Sequence, residues 1–228
     1  MKTVIISGQN HKGSTYHIAR MLADKIGGEM KEFFLPRDFG EFCIGCTKCF
    51  MEGEENCLHY EKIKPITEAM DEADVIILNS PVYVFHATGS MKAFLDHCGY
   101  RWMIHRPREQ MFQKQGVCIS TAAGAGMKST NKDMADSFFY WGVGKTYKYG
   151  IAVAATSWET IKDEKRKAID QKTTRIAEQI KRHYGHVKPN LFTKGFFMIA
   201  RALQKNGFNP KDQGYWQEKG WLGAKRPW

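Results

Sequence analysis

Four cysteines lie close together in the stretch FCIGCTKCFMEGEENC, residues 42–57. Their spacing is C-x2-C-x2-C-x7-C, and they are Cys43, Cys46, Cys49 and Cys57. Two-residue gaps let successive sulfurs converge on one point, and Gly45 eases the turn between them. Four thiols in one short loop could form disulfides, bind zinc or hold an iron–sulfur cluster.

The expected redox compartment narrows these alternatives. The sequence contains no apolar stretch long enough to span a membrane and no signal-peptide pattern, so we expect a cytoplasmic protein. Thiols stay reduced in that compartment, which disfavours disulfides. Zinc sites of four thiolates usually consist of two separated C-x2-C pairs, whereas C-x2-C-x2-C is typical of [4Fe–4S] clusters. A cluster is our first interpretation, empty or adventitiously occupied thiols the second, and zinc the third.

Three other loops carry residues suited to binding an anion and a flat ring. SGQNHKGST, residues 7–15, has the glycine spacing of a P-loop but Ser14 where that motif requires lysine, so we expect it to bind a monophosphate. In the second loop, Tyr83 and Phe85 could lie against a ring, although Phe85 is equally suited to the core. The third loop, STAAGAG at residues 120–126, has small residues that permit close approach of a planar ligand.

The elements that must position these loops alternate between short apolar runs and helical patterns, which predicts a doubly wound α/β domain. In a parallel sheet the carboxyl ends of all strands lie at one edge, so the three loops should meet there. We expect Cys98 in a helix and Cys118 in a strand to be small core residues. We predict strands at residues 3–7, 30–35, 74–80, 116–121 and 149–155, and helices near 14–26, 60–72, 89–98, 127–141 and 158–184.

The end of the chain has a different composition. The net charge of +10 comes from residues 162–228, whereas the preceding residues are balanced. We divide the chain into a domain at 1–186 and a basic, aromatic extension at 187–228 with one short helix near 193–205. The extension should dock on the same subunit, a dimer mate or a lipid surface. We find no nucleic-acid-binding motif and expect no nucleic-acid partner.

Taken together, these motifs resemble the flavodoxin-like NAD(P)H-dependent FMN reductases, and within them the iron–sulfur flavoprotein branch. The resemblance rests on the first loop, on SPVY followed by Gly89-x-x-Lys92-Ala93-Phe94-Leu95-Asp96, and on the cysteine motif, and it covers about residues 1–130. Two departures stand out: Val84-Phe85 where relatives often have an aromatic residue and glycine, and His97 where they usually have arginine. The resemblance implies a five-stranded parallel sheet in the order 2-1-3-4-5 and a homo-oligomer, a dimer or a tetramer.

The resemblance also implies the cofactors and the site residues. The chain would bind FMN and use NAD(P)H as cosubstrate. Cys43, Cys46, Cys49 and Cys57 would hold a [4Fe–4S] cluster. No side chain is assigned as a catalytic acid or base, because the cofactor carries the chemistry. The FMN-binding residues would be Ser7, Gln9, His11, Gly13, Ser14 and Thr15 in the first loop, Pro81, Val82, Tyr83, Val84 and Phe85 in the second, and Thr121, Ala122, Ala123, Gly124 and Gly126 in the third.

The predicted function is an oxidoreductase that takes electrons from NAD(P)H or a reduced donor protein. It would pass them to a quinone-like, nitro or azo compound or to a redox protein. Two alternatives remain open at this point. One is an electron carrier without significant NAD(P)H turnover, and the other is a non-enzymatic flavin-binding or redox-sensing module.

Overall fold

Five parallel strands form one sheet in the order β2-β1-β3-β4-β5 in the computed structural model, which describes residues 1–228. Both the predicted α/β class and the predicted strand order are confirmed. The strands are β1 (Lys2–Ser7), β2 (Glu29–Phe34), β3 (Val75–Pro81), β4 (Gln115–Ala122) and β5 (Lys145–Ala152).

Helices cover both faces of the sheet, because side chains of successive strand residues point to opposite sides. In β1, Val4 and Ile6 belong to one apolar cluster and Ile5 to the other. Cys98 and Cys118 are buried in the first cluster, as predicted. The helices are α1 (Ser14–Ile26), α2 (Lys48–Met51), α3 (Tyr60–Glu72), α4 (Gly89–His97), α5 (Met127–Tyr140), α6 (Asp163–His183), α7 (Leu191–Lys205) and α8 (Pro210–Glu218).

The largest difference from the predicted strands is at β5, which begins at Lys145 rather than at 149. This strand lies at the edge of the sheet, and its burial alternates, with Tyr147 and Tyr149 buried and Lys148 exposed. A search for a continuous apolar run misses the first half of such a strand, because only alternate residues face the core.

The extension contains two helices, not the single one predicted. The side chain of Asn209 accepts hydrogen bonds from the backbone N–H groups of Lys211 and Asp212, and Pro210 occupies the first turn of α8. An Asn-Pro pair in this position is a helix start signal. The sequence therefore carried the information for α8.

A third apolar cluster joins the extension to residues 100–114 of the same chain. Trp216 and Trp221 are fully buried there, together with Phe112 and Phe197. The indole Nε1 of Trp216 donates to the backbone carbonyl of His105 at 2.6 Å. The extension therefore docks on its own subunit, and none of its helices, nor any other helix, has the length and apolar composition needed to cross a bilayer.

Candidate functional site

The carboxyl ends of β1, β3 and β4 open into one cleft. Eleven of the sixteen residues predicted to bind a cofactor line this cleft. The three loops therefore meet at the sheet edge as predicted, and most of the residues expected to bind the cofactor lie in the cleft wall. Those in the cleft wall are Ser7, Gln9, His11, Gly13, Ser14, Thr15, Pro81, Val82, Thr121, Ala122 and Ala123.

One end of the cleft is suited to an anion. Helix α1 begins at Ser14, and its N-cap residue Gly13 provides no side-chain acceptor. The first N–H groups of a helix have no intrahelical partner and carry a partial positive charge. The hydroxyls of Ser7, Ser14 and Thr15 add donors to the same wall, and none of the lining residues is Asp or Glu. These groups together can hold a phosphate.

Hydrogen bonds between loops fix the shape of this end. Asn79 Nδ2 donates to Ser7 Oγ at 2.9 Å, and the hydroxyls of Thr15 and Thr121 share a hydrogen bond of 2.5 Å. Thr88 Oγ1 donates to the carbonyl of Gly8 at 2.6 Å. A Cβ atom at Gly8 would lie only 2.8 Å from that hydroxyl, so the close approach requires glycine.

The second loop carries its aromatic residues outside the cleft wall. Val84 and Phe85 have positive φ angles of 48° and 64° and are 93% and 65% exposed, so Phe85 does not fill the core. Hydrogen bonds of 2.9 and 3.0 Å between the backbones of Tyr83 and His86 close the turn. The amide of Gln9 donates to the Tyr83 hydroxyl at 2.7 Å, which ties this turn to the first loop.

The third loop packs against the second. Gly126 has φ of +96°, and a Cβ atom there would lie 2.5 Å from Val82 Cγ1 and 3.1 Å from Phe85 Cα. Gly124 and Gly126, like the residues Tyr83–Phe85, do not line the cleft. They shape its rim in this structure, and their predicted contacts with a cofactor remain a prediction.

Sequence reasoning missed the far wall of the cleft. Val153, Ala155 and Thr156 follow β5 and complete the lining together with Tyr16 and Asn79. The signal was available, because the loop after a fifth parallel strand must leave the same sheet edge. It was missed because Val153 and Ala155 fall within the strand predicted at 149–155, whereas β5 ends at Ala152.

The predicted cluster ligands lie on the loop between β2 and α3. Gly45 and Gly53 have positive φ angles of 68° and 123° there. All four thiols are free, with Cys43 and Cys46 exposed and Cys49 and Cys57 half-buried. Burial, together with the neighbouring thiols of Cys57, Cys43 and Cys46, raises the pKa of Cys49 to about 11.

A buried arginine anchors this loop to the extension. The guanidinium of Arg106 donates to the carbonyls of Cys49 and Phe50 and forms an ion pair with Asp212 at the start of α8. Asp212 also accepts from His105 Nδ1 at 2.7 Å. Because both charged groups of the ion pair are buried, their position is strongly constrained.

Two histidines lie beside Cys57. His59 Nδ1 is 2.9 Å from His97 Nε2, and His97 Nδ1 is 2.8 Å from the backbone carbonyl of Ala93. Burial lowers the pKa of His97 below its ordinary value. The arginine that the resemblance implied at this position is thus replaced by an imidazole that points toward a second histidine.

Comparisons with known proteins agree with this geometry. A family model described as NADPH-dependent FMN reductase matches residues 1–158. An iron–sulfur flavoprotein of Archaeoglobus fulgidus is 25% identical over 201 residues, which are 87% of this chain and 88% of that protein. An NADPH azoreductase of a Bacillus species is 26% identical over 132 residues, 58% of this chain and 64% of that protein.

Among solved structures, a flavone reductase has the same fold, with a TM-score of 0.60 at 19% identity. The match covers 83% of this chain and 66% of that one. The family model covers more than half of the chain and includes all three loops of the cleft. The chain therefore belongs to the NADPH-dependent FMN reductase family, whose members are FMN-containing oxidoreductases.

Proposed function

We propose that this chain binds FMN in the cleft and transfers electrons from NAD(P)H to a small acceptor of the quinone, nitro or azo class or to a redox protein. The observation that supports this most strongly is the convergence of three loops on a cleft with hydroxyl and N–H donors and no carboxylate. The azoreductase among its relatives supports an azo compound as one such acceptor.

The phosphate of FMN fits the donor set at the start of α1. Ser7, Ser14 and Thr15 would hold it by hydroxyl groups, and the helix N-terminus would add backbone donors. Since the wall carries no acidic side chain, a phosphate dianion meets no repulsion there.

The flat ring would lie near Pro81, Val82 and the small residues Ala122 and Ala123. FMN, when bound, supplies hydride and electron transfer chemistry. The chain's own task is then to orient the ring and to exclude water from one side of it. The hydrogen bond from Gln9 to Tyr83 serves this task, because it holds the second loop against the first. We assign no catalytic acid or base.

The cysteine loop suits a [4Fe–4S] cluster by the chemistry of its donors, since four free thiols on one loop are the ligand set of that cluster. Cys43, Cys46, Cys49 and Cys57 would hold it, and it would supply one-electron transfer. The iron–sulfur flavoprotein among the relatives supports this second cofactor.

A charge substitution tests the phosphate site. Ser14→Glu places a carboxylate at the start of α1, and we expect it to weaken FMN binding at least hundredfold while riboflavin, which lacks the phosphate, binds almost as before. Gln171→Glu on the exposed face of α6 is the matched control, because it adds the same charge away from the cleft. Fluorescence titration of the flavin-free protein measures both affinities. Equal loss of FMN and riboflavin, or no loss of either, would contradict the proposed site.

An electron carrier is the second candidate, and the iron–sulfur flavoprotein relative favours it. In that case NAD(P)H turnover is slow and the cluster is essential. Anaerobic stopped-flow oxidation of NADPH and NADH with a quinone distinguishes the two. Fast turnover that survives Cys46→Ser supports the reductase, whereas transfer that needs a reduced donor protein and is lost in Cys46→Ser supports the carrier.

We further propose that the protein acts as a homo-oligomer in which a second copy covers the exposed turn at Val84 and Phe85. Both side chains are apolar and exposed beside the cleft, and covering them would remove apolar surface from water. Sedimentation equilibrium of the wild type and of Phe85→Asp tests this. We expect a dimer or tetramer that dissociates in the variant, and a monomeric wild type would refute it.

A further inference from the structure

We propose that Cys57, His59 and His97 form a site for one divalent ion of the zinc class. Their ligand atoms, one sulfur and two ring nitrogens, all lie within 4.8 Å of one another. This combination of one thiol and two imidazoles is the ligand chemistry of zinc and similar transition metals.

The ring nitrogens are almost at the distance that such an ion requires. His59 Nδ1 and His97 Nε2 are 2.9 Å apart. Zinc–nitrogen bonds of about 2.0–2.1 Å at a tetrahedral angle place two nitrogens about 3.3 Å apart. Separating the nitrogens by about 0.4 Å and turning both lone pairs toward the ion would replace the hydrogen bond with two metal bonds. The proton of His59 Nδ1 would move to His59 Nε2, which keeps that ring neutral, and the Cys57 thiol would release its proton to solvent.

The other nitrogen of His97 already has an acceptor. His97 Nδ1 donates to the carbonyl of Ala93 at 2.8 Å, so Nε2 carries the lone pair, which accepts from His59 Nδ1 when no ion is bound. His59 Nε2 is 3.9 Å from Glu41 Oε2, and Glu41 is itself paired with Lys62. The carbonyl behind His97 is the arrangement that orients histidines on metal ions.

The surroundings favour a bound cation. The side chain of His97 is buried and that of His59 is only 13% exposed, so both rings are held in place. A thiolate at Cys57 would balance one of the two charges of the ion, and the Glu41–Lys62 pair lies beside the site without adding net charge. The fourth coordination position remains for water.

This site and the proposed cluster share Cys57 and are therefore alternatives. A chain that holds zinc at Cys57 cannot use that sulfur for iron at the same time. The zinc site does not depend on flavin binding, so its failure would leave the proposed reductase function unaffected.

Zinc binding to the full-length chain, purified without iron under anaerobic conditions, tests the site. We expect one zinc per chain by mass spectrometry of metals after dialysis against buffered zinc. Cys57→Ser, His59→Ala and His97→Ala should each weaken binding more than tenfold. His186→Ala is the matched control for the histidine variants and should retain the wild-type affinity, because this exposed histidine is outside the site. Circular dichroism confirms that each variant is folded.

X-ray absorption of the zinc-loaded wild type provides a test that does not depend on any variant. We expect two nitrogen ligands with imidazole scattering and one sulfur. Four sulfur ligands would overturn the proposal, as would zinc binding that is lost in Cys43→Ser but kept in His97→Ala. Absence of zinc from the wild type after dialysis would overturn it too.

Discussion

The ion pair between Arg106 and Asp212 gives a quantitative test of how the extension supports the cysteine loop. Asp212→Asn keeps the shape of the side chain but removes its charge. Asp212 is fully buried and Arg106 is 4% exposed, so the substitution leaves an arginine in the interior without its main counter-ion. Breaking a buried pair from one side costs about 3–5 kcal/mol.

The structure places the cost at the lower end of this range. Arg106 keeps the carbonyl of Phe50 at 3.2 Å and Glu54 Oε2 at 3.5 Å, which partly compensate its charge. We therefore expect the free energy of unfolding to fall by about 3 kcal/mol. For a chain of this length, about 2–4 °C per kcal/mol corresponds to a decrease in Tm of about 6–12 °C.

Urea and thermal unfolding followed by circular dichroism measure this change. Asp136→Asn is the matched control, because Asp136 forms an exposed pair with Lys132 and should change stability by less than about 0.5 kcal/mol. A loss below about 1 kcal/mol for Asp212→Asn would refute the role of the buried pair. An increased rate of Cys49 alkylation in Asp212→Asn would show that the anchor also restrains the loop.

Three further measurements follow from local features. At pH 8 in the metal-free reduced protein, iodoacetamide should modify exposed Cys43 well before Cys49, whose pKa is raised to about 11 by burial; equal rates in peptide mass spectrometry would contradict this. Burial lowers the pKa of Lys114 to about 8 from 10.5, so between these pH values the unfolded chain binds more protons than the folded one. In urea unfolding, the stability of the wild type should therefore rise with pH across this window relative to that of Lys114→Met. A stability difference that does not change with pH would contradict this. Gly8→Ala should destabilise the protein by about 1–3 kcal/mol in urea unfolding, because the added Cβ would meet Thr88. Gly124→Ala should leave the stability nearly unchanged, because the space around Gly124 is open. Similar effects of the two substitutions would refute the packing argument.

The sheet and most of the cleft could be predicted from the sequence because both depend on local patterns. Buried strands such as Val75–Pro81 are continuous apolar runs, and parallel strands must bring their following loops to one edge. The edge strand β5 and helix α8 were misjudged because their signals are weaker. One alternates polar and apolar residues, and the other begins with a short capping motif in a region without clear periodicity.

Contacts between distant parts of the chain could not be predicted. His97 was visible only as a departure from the family pattern, and nothing in the sequence places it 2.9 Å from His59. The exposed position of Phe85 likewise depends on a left-handed turn at Val84 and Phe85, which sequence propensity disfavours. Such features arise from tertiary packing and require coordinates.

The anchor of the cysteine loop also has a consequence for biosynthesis. Arg106 leaves the ribosome long before Asp212, which follows it by 106 residues. Until α8 has been translated, Arg106 lacks its ion pair with Asp212, and its guanidinium is not fixed in position to donate to the carbonyls of Cys49 and Phe50. Loading of any metal into a fully formed loop must therefore come after the last helix has been made, and nascent chains arrested before that point should receive metal poorly.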